Sequence, residues 1–182
     1  MDHLLWTETL IDLEDTMPQP APPHSPRRLT AEVDGTFAVF LIGMRINQPW
    51  KVWAWLPVVL AMPRMLRELG ERPDLGLLAT QMQGGLLVQY WRDVQSLNAY
   101  ARSRDHAHLP AWREFNHRAR RARGAVGIWH ETYVVGPGQY ETVYVDMPRY
   151  GLGRAGRLVE AGGHRQSAEG RLRGGPADAR PA

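Results

Sequence analysis

Five consecutive side chains in the stretch GIWHETYVV, residues 127–135, are an indole, an imidazole, a carboxylate, a hydroxyl and a phenol. Imidazole takes up and releases protons near neutral pH, which makes His130 the leading candidate for a general base. As a strand, the stretch puts Ile128, His130 and Thr132 on one face and Trp129, Glu131 and Tyr133 on the other. Both faces then carry functional groups. A plain core strand avoids this, because burying an unpaired polar group is costly. Trp129 and Tyr133 are read as substrate contacts, and Glu131 as a group that orients a histidine or pairs with an arginine.

Further candidates lie upstream. His106 and His108 flank Ala107 in RDHAHLP, at a break between two helical pieces, and either imidazole can serve as a base. On a helix, residues two apart point in different directions, so the two do not form an obvious metal pair. His117 precedes RARRAR-like basic sequence and can hydrogen-bond a substrate, helped by Arg113, Arg120 or Arg121. Arg45 and Asn47 end the first long apolar strand on one face, and Trp91 ends another. Trp50, Trp53 and Trp55 stud an apolar helix, where they can line or roof a cavity.

Several chemistries are excluded or disfavoured. The 182 residues contain no cysteine, so thiolate-ligated zinc, iron–sulfur clusters and disulfide scaffolds are out. There is no phosphate-binding loop, no dinucleotide glycine fingerprint and no zinc-protease helix motif. The histidines do not have a spacing diagnostic of a metal site, and none is expected. The formal charge of +3 comes almost wholly from arginine and gives no reason to expect a nucleic-acid partner. The first residues lack the basic and apolar regions of a signal peptide. The apolar run Val52–Pro63 is too short to span a bilayer. A cytoplasmic protein without an integral membrane segment is therefore the expectation.

These residues need a scaffold to position them. Residues 1–28 hold TMPQPAPPHSPRR and read as a flexible, acidic and proline-rich arm. Residues 29–151 read as one domain. Residues 152–182 have no aromatic side chain and no sustained apolar period, and read as a disordered tail. Within the domain, residues 35–47 predict a buried strand. A helix from Pro49 to Leu69 follows, stopped by Gly70, with Pro57 and Pro63 able to kink or split it. LGLLATQMQ and LLVQYW around Gly84–Gly85 predict a hairpin. Asp93 predicts the cap of a helix over 94–103, and Pro110 the start of another that ends at Gly124. Strands over 125–135 and 139–147 complete the order.

Strand, helix, strand, strand, helix, strand is the ferredoxin-like β-α-β-β-α-β plan, an α+β fold. Two helices cover only one sheet face. A second copy of the sheet is the simplest cover for the other, so the plan predicts a homodimer.

FLIGMRIN, GLLVQYWRDVQSLNAYARSRDHAHLPAWREFNH and GIWHETY together resemble the dimeric α/β-barrel superfamily. The similarity is greatest to a fungal-polyketide-monooxygenase-like family related to antibiotic-biosynthesis monooxygenases, over roughly residues 30–148. The resemblance implies a dimer whose subunits each enclose a cavity between sheet and helices. It implies a small monooxygenase-type oxidoreductase acting on a hydrophobic aromatic or polyketide-like compound, with His130 or His106 as base. Asn47 resembles the polar group with which related monooxygenases hold oxygen or an oxyanion. Some superfamily members bind haem, so the cofactor is either none or haem. In the haem case His106, His108, His117 and His130 are the imidazoles that can meet it, and Arg113 can meet a propionate. The substrate contacts would be Trp91, Trp129, Tyr133 and Trp53. A haem-dependent oxygenase or aldoxime dehydratase-like enzyme is one alternative, and a non-catalytic small-molecule-binding module is another. Fold analogy does not choose among them.

Overall fold

A computed structural model of the chain describes residues 27–103, 117 and 124–173. Its central sheet has four strands: β2 (Phe37–Ile46), β3 (Leu77–Gln83), β4 (Leu86–Trp91) and β5 (Val126–Val135). They are antiparallel in the order β3-β4-β2-β5. Helix α1 (Val52–Glu71) connects β2 to β3, and α2 (Val94–Arg102) follows β4. This is the ferredoxin-like arrangement expected from the sequence, an α+β fold.

Local chemistry explains each turn. Gly84 sits in the left-handed region at φ 58°, which lets a two-residue turn join β3 to β4. The Asp93 carboxylate accepts the Ser96 N–H and caps α2, which holds this carboxyl below the usual carboxylate range. Helix α1 begins at Val52 rather than Pro49 and runs past Gly70 as one element, with Pro57 and Pro63 both inside it. Neither proline splits the helix, so the carbonyls they leave unbonded are accommodated within it.

The largest departure from expectation lies at the ends. Arg28–Glu32, assigned partly to the arm, is a strand, β1. It is the centre of a second, three-stranded antiparallel sheet with β6 (Tyr144–Val145) and β7 (Arg157–Glu160). Residues 152–173, read as disordered from composition, carry α3 (Leu152–Ala155), β7 and α4 (Ala168–Arg173). Leu152, Ala155 and Leu158 pack with Ala31, Val33 and Phe37 in one apolar cluster. Arg165 pairs with Glu32 at 2.6 Å, and Arg171, only 6% exposed, pairs with Glu141 at 2.7 Å. Leu152, Leu158, Arg165 and Arg171 thus find partners distant in sequence, which composition does not register. The expected strand over 139–147 contracts to two residues. Instead of a full ladder, Thr142 Oγ1 accepts the Ala31 N–H at 2.8 Å and Tyr140 Oη accepts the Val33 N–H at 2.8 Å. The remaining end segments, residues 1–26 and 174–182, lie outside the described residues.

This second layer packs against the face of the central sheet that carries Phe37, Val39, Tyr90 and Val135. The chain therefore covers part of that face itself, and the premise that it has no further elements to supply does not hold. On the other face, Ala38 and Trp91 form a core with Leu69 of α1 and with Leu97 and Tyr100 of α2.

Candidate functional site

Between the helices and this second face lies a cleft of about 410 Å³, a size suited to a drug-sized molecule. Its floor follows from strand alternation and register. Ile42 pairs with both His130 and Leu87, and Phe40 pairs with both Thr132 and Gln89, so these side chains share a face with Trp91. Helix α1 contributes Met62, Met65, Leu66 and Leu69, the i, i+3, i+4, i+7 stripe of one helical face. Helix α2 contributes Leu97, Asn98, Tyr100, Ala101 and Arg102.

The lining is mostly apolar, with a few polar groups set into it. His130 projects into the cleft from β5, its ring centroid 5.5 Å from that of Phe40. Among the described residues the imidazole has no hydrogen-bond partner, so both ring nitrogens are available to a ligand. Tyr100 Oη donates to Glu68 Oε2 at 3.0 Å. Burial first, and then this bond, push the Tyr100 phenol well above its ordinary range, so it remains a protonated wall residue. Deep in the floor, the Trp91 indole N–H donates to Gln89 Oε1 at 3.1 Å.

The alternation of WHETY holds as read. His130 and Thr132 face the cleft, while Glu131 sits on the reverse face and accepts the Tyr133 hydroxyl at 2.6 Å. That bond raises the Tyr133 phenol above its ordinary value. Trp129 and Tyr133, expected as substrate contacts, do not line this cleft, because the period of two turns them to the other face. Trp129 lies over Gly43 instead, so closely that a β-carbon at residue 43 would stand 2.5 Å from its Nε1. Asn47 is also elsewhere: its Nδ2 donates to the Gly124 carbonyl at 2.9 Å and its backbone N–H to Ala125, clasping the end of β2 to the start of β5. Trp53, 51% exposed, and Trp50 are on the outside of the molecule, since the cleft-facing stripe of α1 belongs to its second half. The Trp55 indole donates to the Pro49 carbonyl. Trp91 does line the cleft. His117 is exposed. His106, His108 and Arg113 lie outside the described residues.

Sequence reasoning missed Gln89, Asn98, Tyr100 and the methionine pair. One signal was present for Gln89: it is a lone amide in LLVQYW, with apolar Leu87 and Trp91 as its same-face neighbours. No group of three acidic or imidazole side chains suited to a metal ion occurs among the described residues. The donor set does fit a haem in kind, with His130 as the cleft imidazole and Arg102 as a cation for a propionate. No helix among the described residues is long and apolar enough to cross a membrane.

Residues 37–152, which contain the whole central sheet and both cleft helices, match the family model described as Monooxygenase af470-like. Monooxygenase af470 of Aspergillus fumigatus is 31% identical over 132 residues, an alignment covering 66% of this chain and 46% of that protein. The chain thus spans about half the length of this relative. With its ferredoxin-like strand order and its cleft inside the matched region, the chain belongs to the Monooxygenase af470-like family.

Proposed function

We propose that the protein is a small monooxygenase-type oxidoreductase that takes a hydrophobic aromatic or polyketide-like substrate into the cleft between sheet and helices. The observation that carries this reading is an imidazole, His130, without a hydrogen-bond partner among the described residues, in an otherwise largely apolar cleft large enough for a two- or three-ring molecule. Family membership supports the reaction class.

In the cofactor-free form of the reaction, His130 accepts a proton from a phenol or from the carbon activated by it. The electron-rich anion then reduces dioxygen. A CH₂ group becomes a carbonyl, one oxygen atom stays on the product and the other leaves as water. Haem-dependent oxygenation is the second reading, supported by the presence of both His130 and Arg102 in the lining of one cleft. A haem bound there would be held by His130 and Arg102 and would supply the oxygen chemistry.

Oxygen uptake with a panel of polycyclic phenols and hydroxyanthrones tests the first reading. Stoichiometric uptake without added cofactor supports it, and uptake that tracks a Soret band in the purified protein supports the second. Absence of both, with tight ligand binding, would leave a non-catalytic binding module.

We also propose a homodimer, joined through the part of the sheet that the second layer leaves open, around Leu41, Trp129 and Tyr133. Light scattering at micromolar concentration should give about twice the 20.6 kDa chain mass. A monomer would reject it.

A further inference from the structure

We propose that Gln89 is a substrate-binding residue whose amide N–H₂ grips a carbonyl or phenolate oxygen, so that the cleft selects apolar molecules bearing such an oxygen. This deepens the functional reading above and rests on the cleft being a ligand site.

Gln89 is 6% exposed, on the floor of the cleft. A buried primary amide normally has partners for both of its ends. Here one end is fixed. An indole N–H is a donor only, so the atom 3.1 Å from Trp91 Nε1 has to be the amide oxygen. The nitrogen, with its two hydrogens, is thereby turned the other way. Among the described residues it has no hydrogen-bond acceptor. Trp91 is itself 1% exposed and locked in the core against Tyr100, with ring centroids 5.8 Å apart, so it holds the amide in one orientation.

A second orphan lies beside it. Thr80 is the cross-strand partner of Gln89, and its Oγ1 is buried with no hydrogen-bond partner. Gln89 Nε2 faces the cleft rather than closed core, and an oxygen-bearing ligand there gives it the acceptor it lacks. His130 stands on the same sheet face, across β2 from Gln89. A ligand oxygen on Gln89 therefore places the ring of that ligand between the amide and the imidazole. As the substrate loses a proton to His130, negative charge grows on that oxygen, and the fixed N–H₂ strengthens its bond to it.

The test uses 1-tetralone and tetralin, which differ by one carbonyl, and reads binding by calorimetry rather than turnover. In the wild type the ketone should bind at least about fivefold tighter than its hydrophobicity relative to tetralin predicts. The infrared carbonyl stretch of bound tetralone should lie below its value in an apolar solvent. Gln89→Met should abolish the ketone preference while still binding tetralin. Gln89→Glu keeps an acceptor for the Trp91 indole but removes the two donors. Its preference should be lost at alkaline pH and recovered as the pH falls and the carboxyl regains a proton. If Gln89→Met does not fold, Gln89→Glu and the wild-type infrared band decide. Failure of the wild type to bind either compound overturns the cleft as a ligand site, and this assignment with it. Binding of both with an unshifted carbonyl band, or a preference unchanged in Gln89→Glu at alkaline pH, overturns the role of Gln89 and leaves the cleft intact.

Discussion

The two faces of the central sheet use the same strands for opposite purposes. On the helix side, β2, β4 and β5 present Phe40, Gln89, Trp91 and His130 to a cleft that the described residues leave unfilled. On the reverse side, the alternate residues of those strands are packed under the second layer or occupied with one another, as Tyr133 is with Glu131 and Trp129 with Gly43. On the reverse face Tyr133 and Glu131 satisfy each other. On the cleft face His130 and Gln89 Nε2 have no partner among the described residues. The contrast separates groups held for structure from groups held for a ligand, and it can be broken one side chain at a time.

The two strand tryptophans should give the largest difference. Trp91→Ala empties a fully buried site and should lower stability by about 3–5 kcal/mol, read as a fall in Tm. Trp129, 44% exposed, should cost about 1 kcal/mol at most when cut to alanine. If the reverse face is the proposed dimer seam, Trp129→Ala should also make Tm depend more steeply on protein concentration.

Adjacent residues of β5 give the next contrast. With a substrate that drives oxygen uptake, His130→Ala should lower kcat by roughly 10²-fold while Tm changes little. Glu131→Gln, one residue along but on the other face, should leave kcat within about twofold of the wild type. Equal losses from the two would sink the assignment of faces. A fall in Tm for His130→Ala, with the rate per folded molecule unchanged, would return His130 to a structural role.

Much of this was legible because it rests on local rules. Period-two alternation in WHETY sorted His130 from Trp129 and Tyr133 without any structure. The glycine pair at 84–85 and the Asp93 cap placed β3, β4 and α2. What stayed hidden depends on pairings between residues distant in sequence. The chain from Leu152 onward looked unable to fold because its apolar residues are few, yet Leu152, Ala155 and Leu158 pack against Ala31, Val33 and Phe37. Trp53 looked like a cavity residue because it is aromatic. Which side of α1 meets the sheet is settled by the second half of the helix, where Met62, Met65 and Leu69 lie. Asn47 looked catalytic by analogy and is engaged by the Gly124 carbonyl. Type and resemblance suggested these residues, and geometry reassigned them.

A smaller effect is expected from Gly43→Ala. The added methyl group would collide with the Trp129 indole, which can swing outward because it is partly exposed. The cost should be about 1 kcal/mol, at the low end for overpacking, since no backbone has to move. The binding of tetralone should be untouched, because the clash lies on the far side of the sheet. A change in ligand affinity would mean that the two faces are coupled through β2.

The smallest effect separates the faces by pH. Tyr100, on the cleft side, is pushed up first by burial and then by its hydrogen bond to Glu68. Tyr90, on the reverse side, is raised chiefly by burial. For either phenol the unfolded chain ionises near pH 10, before the folded one does. Above that point the unfolded state holds fewer protons, so stability present below about pH 10 is lost as the pH rises toward the folded value. Tyr100→Phe should cost about 0.5–1.5 kcal/mol at pH 8, for the lost hydrogen bond. It should also flatten the decline in stability between pH 8 and pH 11, measured by urea unfolding. Tyr90→Phe should flatten it less, because no carboxylate holds that proton. An identical slope in the wild type and Tyr100→Phe would mean that the hydroxyl of Tyr100 is not held by Glu68, and that the cleft wall at α2 is looser than its geometry indicates.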